Sequence, residues 1–62
     1  MTKTETREII NLATWHKAGV PADIIARSLS ALIRAARTNK SRAALLEYAP
    51  IFGVTAHPDF II

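Results

Sequence analysis

Basic residues dominate the middle of this chain. Between Ile24 and Leu46 the sequence has no acidic residue and five basic ones: Arg27, Arg34, Arg37, Lys40 and Arg42. Guanidinium and ammonium groups in such a run can bind phosphates or the carboxylates of an acidic protein surface. The run also suits a solvated helix face whose arginine stems cover apolar surface, with Asp23 as a local partner of Arg27. It predicts a charged surface and leaves open whether nucleic acid, protein or solvent covers it.

The residue types give little support for metal binding, catalysis or cofactor binding. The chain has no cysteine, and its two histidines, His16 and His57, lack further ligands at the spacing of a metal site. We find no catalytic triad, no glycine-rich phosphate loop and no carboxylate pair of defined spacing. A chain of 62 residues also leaves little room for a pocket and its supporting shell. We therefore expect a non-enzymatic protein without a metal or cofactor.

The composition favours association with a second chain. Half of the 62 residues are hydrophobic, and the mean hydropathy is +0.18. A chain of this size buries only about 60% of its unfolded surface, and a single small core contributes roughly 3–5 kcal/mol. Because disulfides are excluded, we expect a homodimer. No apolar stretch approaches the roughly 20 residues of a membrane span and the N-terminus is polar, so we expect a cytoplasmic protein.

Apolar spacing and helix-capping residues predict one all-α domain over residues 1–62. The first helix should begin after Thr2 or Thr4 and close near Gly19, a residue suited to the left-handed position after a helix. The second should span residues 21–38, and the third should run from Asn39 or Ser41 to residue 49, where Pro50 stops it. An apolar tail, residues 51–62, completes this compact three-helix domain.

The second helix has two apolar faces. At 100° per residue, one broad apolar face should enter the core, and it comprises Ile25, Leu29, Leu32, Ile33 and Ala36. A neighbouring face of small residues could let another helix approach closely, and a polar stripe that includes Ser30 lies opposite. We predict a dimer interface through this second face and the tail, comprising Ile24, Ser28, Ala31, Ala35, Phe52 and Phe60.

Two aromatic residues are candidate anchors for a partner. Trp15 lies off the apolar face of the first helix, and Tyr48 lies at the border of the third. Interface anchors are enriched in Trp, Tyr and Arg, although both aromatic residues also suit the edge of a core with their polar atoms in water. The predicted partner-binding residues are Trp15, Arg34, Arg37, Arg42 and Tyr48.

A helix-turn-helix offers an alternative function. Residues 18–29, AGVPADIIARSL, look like the first helix of many bacterial DNA-binding motifs, and SRAALLEYA would then be the recognition helix. Its DNA contacts would be Arg37, Lys40, Ser41 and Arg42. The intervening ALIRAAR departs from the motif because it prolongs the second helix by about two turns. A small DNA-binding transcription regulator is therefore the competing hypothesis.

The whole segment GVPADIIARSLSALIRAARTNKSRAALLEYAPIFGV resembles small early-region proteins of Mu-like transposable phages of Pseudomonas, in particular their anti-quorum-sensing anti-activators. The resemblance implies a helical homodimer that binds the DNA-binding region of a LuxR-type quorum-sensing activator and keeps it from its promoters. It also implies a second target, the ATPase of type IV pilus assembly. The leading hypothesis is thus a phage-type inhibitor of a host protein. A purely structural interaction protein is the third.

Overall fold

The computed structural model describes residues 1–57, and within this part of the chain all regular structure is helical. The helices are α1 (Lys3–Lys17), α2 (Ala22–Ala35), α3 (Asn39–Leu46) and a short α4 (Tyr48–Phe52). The all-α class is therefore confirmed. The predicted interface residue Phe60 lies outside the described residues.

Helix α1 begins and ends where its capping residues predict. The Thr2 hydroxyl accepts the Glu5 N–H at 3.1 Å, and the Glu5 carboxylate accepts the Thr2 N–H at 2.8 Å. This reciprocal pair satisfies backbone donors that the first helical turn leaves open. At the other end Gly19 has φ +85°, and the Val20 N–H donates to the Trp15 carbonyl at 3.0 Å. The left-handed glycine and this bond turn the chain back toward α2.

Helix α2 is shorter than the sequence predicts. It ends at Ala35 rather than at Thr38, because Ala36 is extended, with φ −65° and ψ 131°. The Arg42 guanidinium donates to the Ala36 carbonyl at 3.1 Å and so satisfies an acceptor beyond the helix end. Thr38 is then free to cap α3, and its hydroxyl accepts the Ser41 N–H at 3.1 Å.

The prediction that Pro50 ends the third helix at Ala49 is wrong. Helix α3 already ends at Leu46, and Pro50 is the third residue of α4. Proline is tolerated there because N–H groups in the first turn of a helix have no intrahelical acceptor. Helix α4 ends at Gly53, which has φ +69°. The first part of the predicted apolar tail is therefore helical.

Helix α2 lies at the centre of the fold, in contact with α1, α3 and α4. The core comprises Ile9, Leu12, Ile25, Ala26, Leu29, Ile33, Ala36, Leu45, Ala49, Phe52 and Val54. This confirms the core face predicted for the second helix, except that Leu32 is only partly buried against the core. Ser30, predicted in the polar stripe, is instead buried, and its hydroxyl has no hydrogen-bond partner within residues 1–57.

Candidate functional site

The surface between α1 and α2 is the candidate site. The short connection after α1 makes the two helices an antiparallel hairpin, and one cavity joins Thr4 of α1 to Leu32 and Ala35 of α2. Both helices rise by the same amount per residue. The register that sets Thr4 near Ala35 at the open end therefore sets Trp15 opposite Ile24 at the turn end.

The α2 side of this surface is apolar or small, while the α1 side also carries Glu8 and Asn11 between Thr4 and Trp15. We call the surface the hairpin face, formed by Trp15, Ile24, Ser28, Ala31, Leu32 and Ala35. Trp15 is 40% exposed and Ile24 is 43% exposed, so two large apolar side chains meet solvent at one end. Ala31 and Ala35 are exposed, and Ser28 and Leu32 are half-buried. Four predicted dimer residues and one predicted partner anchor thus lie on the same surface.

A cavity of about 370 Å³ lies at the open end of the hairpin face. Its lining consists of Thr2, Thr4, Glu5, Leu32, Ala35, Arg37, Thr38 and Ser41. Glu5 and Ser41 are both buried. The volume is at the lower end of the range for small-molecule pockets and matches the space that one or two apolar side chains need.

The Glu5 carboxylate in this cavity is held in its charged form. The backbone N–H of Thr2 lowers the pKa of Glu5 most, while burial acts in the opposite direction. The hydroxyls of Thr2 and Ser41 and the N-terminal ammonium lower this pKa further. The carboxylate therefore caps the start of α1, in the cavity that Ser41 of α3 also lines, and its role is structural. Sequence reasoning missed this burial, although the spacing Thr2-x-x-Glu5 signals the capping box.

The predicted basic partner residues do not share one environment. Arg34 and Arg37 are exposed, and neither guanidinium forms a hydrogen bond or ion pair within residues 1–57. Arg37 also lines the cavity. Arg42, in contrast, donates to Asn39 Oδ1 at 2.7 Å as well as to the Ala36 carbonyl. Arg42 is thus used by the α2–α3 turn, while Arg34 and Arg37 border the hairpin face and remain available.

The predicted aromatic residues of α4 belong largely to the interior. The Tyr48 ring stacks on the Phe52 ring, with centroids 5.9 Å apart and planes at 23°. The Phe52 ring also lies 5.7 Å from that of His16, and Phe52 is only 3% exposed. The prediction of Phe52 as an interface residue needs correction, because the core of the single chain already covers this side chain. Tyr48 is half-buried and keeps an exposed edge.

The start of α3 does not have the free side chains that base reading needs. Ser41 is buried, and Asn39 and Arg42 are hydrogen-bonded to each other. Of the predicted DNA contacts, Arg37 and Lys40 remain exposed and without a hydrogen bond in the described part of the chain. These two cations could meet phosphates, but a recognition helix must also present polar groups to base edges.

No known protein family, curated protein or solved structure is significantly similar to this chain. Among the helices of residues 1–57, none combines the length and the apolar character needed to cross a bilayer. Within the same residues, no three His, Asp or Glu side chains cluster as a metal site would require.

Proposed function

We propose that this chain is a non-enzymatic inhibitor that binds a host protein through the hairpin face. The observation that carries the proposal is the exposure of Trp15 and of Ile24, together with the exposed small residues of α2. Contiguous apolar surface with a large aromatic residue and bordering arginines has the composition of protein interaction sites. The fold leaves these side chains exposed to solvent and does not bury them.

The resemblance to phage anti-activators supplies the target class. On this proposal the chain covers the DNA-binding region of a LuxR-type activator in the bacterial cytoplasm and so blocks its access to promoters. The pilus assembly ATPase is a second proposed target. Because this chain carries a net charge of +3, its contacts with a basic DNA-binding region must be apolar or involve locally acidic residues of that region. Trp15 and Ile24 are suited to the apolar contacts.

The homodimer is a proposal supported by the spacing on α2. Ile24, Ser28, Ala31 and Ala35 follow each other at intervals of 4, 3 and 4 residues. This order is the same in both directions, so a second α2 packed antiparallel would meet small residues along its length. A two-fold interface needs such self-complementarity. Light scattering should give twice the 6.8 kDa chain mass; a stable folded species at the chain mass would refute the dimer.

The central experiment tests inhibition directly. Purified chain is added to a LuxR-type activator bound to promoter DNA, and the fraction of retarded DNA is measured by electrophoresis. We expect loss of the activator–DNA complex, with no retardation of promoter DNA by the chain alone. Trp15→Ala should weaken inhibition by about 1 kcal/mol or more, roughly fivefold in concentration. Unchanged promoter binding at saturating chain would refute this target.

Tyr48→Ala tests the second predicted anchor. Its exposed edge predicts a loss in partner binding of about 1 kcal/mol, but its ring also stacks on Phe52. Circular dichroism must therefore show that the variant is folded. A folded Tyr48→Ala protein that inhibits like the wild type would remove Tyr48 from the binding surface.

DNA binding is the second candidate function, and the five basic residues between Ile24 and Leu46 favour it. Binding to phosphates should weaken with salt, with a log–log slope of about −0.9 for each phosphate neutralised. Because Arg42 is held by the α2–α3 turn, we expect a shallow slope in any complex that forms. A flat response, or no complex at low salt, would eliminate this candidate.

A further inference from the structure

We propose that the hairpin face binds an amphipathic helix of the partner whose flanking residues are acidic. This inference rests on the proposed function and specifies the chemistry of the partner segment. Two antiparallel helices leave a shallow groove between them, and a third helix can lay its apolar side chains into it.

The groove has an anchor point at each end. Trp15 and Ile24 form an exposed apolar surface at the turn end, and the cavity of about 370 Å³ lies at the open end. From Ile24 to Ala35, α2 rises by roughly 16 Å, about three helical turns. Between the two ends, Ala31 and Ser28 are small enough for close approach. A docked helix of similar length would place one apolar side chain on Trp15 and another in the cavity.

The charges along the groove select an acidic flank. Arg34 borders the exposed side of α2 and Arg37 lines the cavity, whereas the half-buried Glu8 lies on the α1 wall and disfavours acidic residues on that side. Neither arginine has an intramolecular partner in the described residues, so both can pair with carboxylates at no cost in internal contacts. Glu5 is the one carboxylate among the described residues that line the cavity, and it already accepts the Thr2 N–H. The part of the docked helix that enters the cavity should accordingly be apolar, and its acidic residues should lie on the arginine side.

The single tryptophan makes this docking measurable in the intact chain. The probe is a synthetic amphipathic peptide of about five helical turns, with leucines at intervals of 4, 3 and 4 and glutamates on one flank. Trp15 emission should shift to shorter wavelength as the peptide covers the indole. A second peptide with lysine in place of each glutamate should bind about tenfold more weakly, because two favourable pairs become two repulsive ones.

Matched variants locate the bound peptide. Ala31→Glu adds bulk and negative charge to the middle of the groove, at an exposed helical position that glutamate suits. It should weaken the acidic peptide at least tenfold while circular dichroism stays unchanged. Ile51→Glu places the same charge on α4, where Ile51 is 63% exposed, and should leave peptide binding unaltered.

Three results would overturn the proposal: no change in Trp15 emission with the acidic peptide, equal affinity for both peptides, or equal effects of Ala31→Glu and Ile51→Glu. The proposed dimer uses the same face, so peptide binding should also convert dimer to monomer in light scattering. A dimer that binds peptide while intact would contradict the assignment.

If Ala31→Glu still displaces the activator from DNA, the proposed function stands and this groove is not its site. If the peptide binds but the activator is unaffected, the groove assignment stands and the proposed target fails.

Discussion

The predicted binding residues are exposed on the hairpin face, whereas those in the region around α3 and α4 are largely bonded or buried within the chain. Trp15 and Ile24 on the hairpin face and Arg34 at its border are exposed, and the fold does not depend on them for its main contacts. In the second region, Arg42 holds the α2–α3 turn and Phe52 is part of the core. Residue types that favour binding occur in both regions. What separates them is whether the folded chain already provides a partner for each side chain.

The largest effect should come from Phe52. Replacing it with alanine removes a core side chain that is 3% exposed and contacts the rings of Tyr48 and His16. Phe→Ala in a core costs about 3–5 kcal/mol, comparable to the whole stability of a domain this small. We expect Phe52→Ala to be largely unfolded at 25 °C by far-ultraviolet circular dichroism.

The control is the adjacent residue on the exposed side of α4. Ile51 is 63% exposed, and Ile51→Ala should change the free energy of unfolding by no more than about 0.5 kcal/mol. Equal urea midpoints for the two variants would show that Phe52 is not a core residue, and its earlier assignment to an interface would regain support.

The sequence predicts those features that depend on residues close together along the chain. The cap at Thr2 and the left-handed Gly19 define α1, and the helical period of α2 predicts which side enters the core. Features that depend on contacts between helices were missed. The end of α2 at Ala35 accompanies a bond between Ala36 and Arg42, six residues away. No periodicity reveals such a bond.

In the candidate site, too, features set by residues close in sequence could be predicted, and features set by contacts between helices could not. Exposure of Trp15 and of the second face of α2 follows from helix geometry, and both predictions agree with the structure. That these residues form one surface depends on the register between α1 and α2, which the sequence pattern left open. The burial of Glu5 and Ser41 depends on α3 starting beside α1, a tertiary arrangement that capping signals alone do not contain.

A smaller effect is expected at the cap of α3. The Thr38 hydroxyl accepts the Ser41 N–H at 3.1 Å, and Thr38→Ala should reduce the free energy of unfolding by about 1 kcal/mol. Thr55→Ala, at an exposed position after α4, is the matched control and should be nearly neutral. If urea denaturation gives equal midpoints for both variants, the cap does not stabilise α3 in solution.

The two arginine environments predict different results for the same substitution. Arg42→Ala removes the bonds to the Ala36 carbonyl and to Asn39, and should cost about 0.5–1 kcal/mol because the guanidinium is partly screened by solvent. Arg34→Ala should leave stability within about 0.5 kcal/mol but weaken binding of the acidic peptide. If Arg34→Ala reduces stability and Arg42→Ala instead weakens peptide binding, then Arg42 faces the partner and Arg34 supports the fold.

The last and smallest effect is a pH dependence at the junction of α1 and α3. The Thr2 N–H, opposed by burial and helped by the Thr2 and Ser41 hydroxyls, lowers the pKa of Glu5 in the folded chain. A lowered folded-state pKa means that the unfolded chain binds the proton more readily. The charged carboxylate therefore stabilises the fold above the unfolded value of about 4.3, and this contribution is lost as pH falls through the folded-state pKa.

Glu5→Gln isolates that contribution because the other carboxyl groups titrate in both proteins. The wild type should be the more stable protein at pH 7 by urea denaturation, and the difference should shrink as the pH is lowered below about 4.3. A difference that stays constant with pH would mean that the carboxamide loses a hydrogen bond but that the charge of Glu5 contributes nothing. Glu5 would then stabilise the start of α1 by its shape and its hydrogen bonds with Thr2 alone.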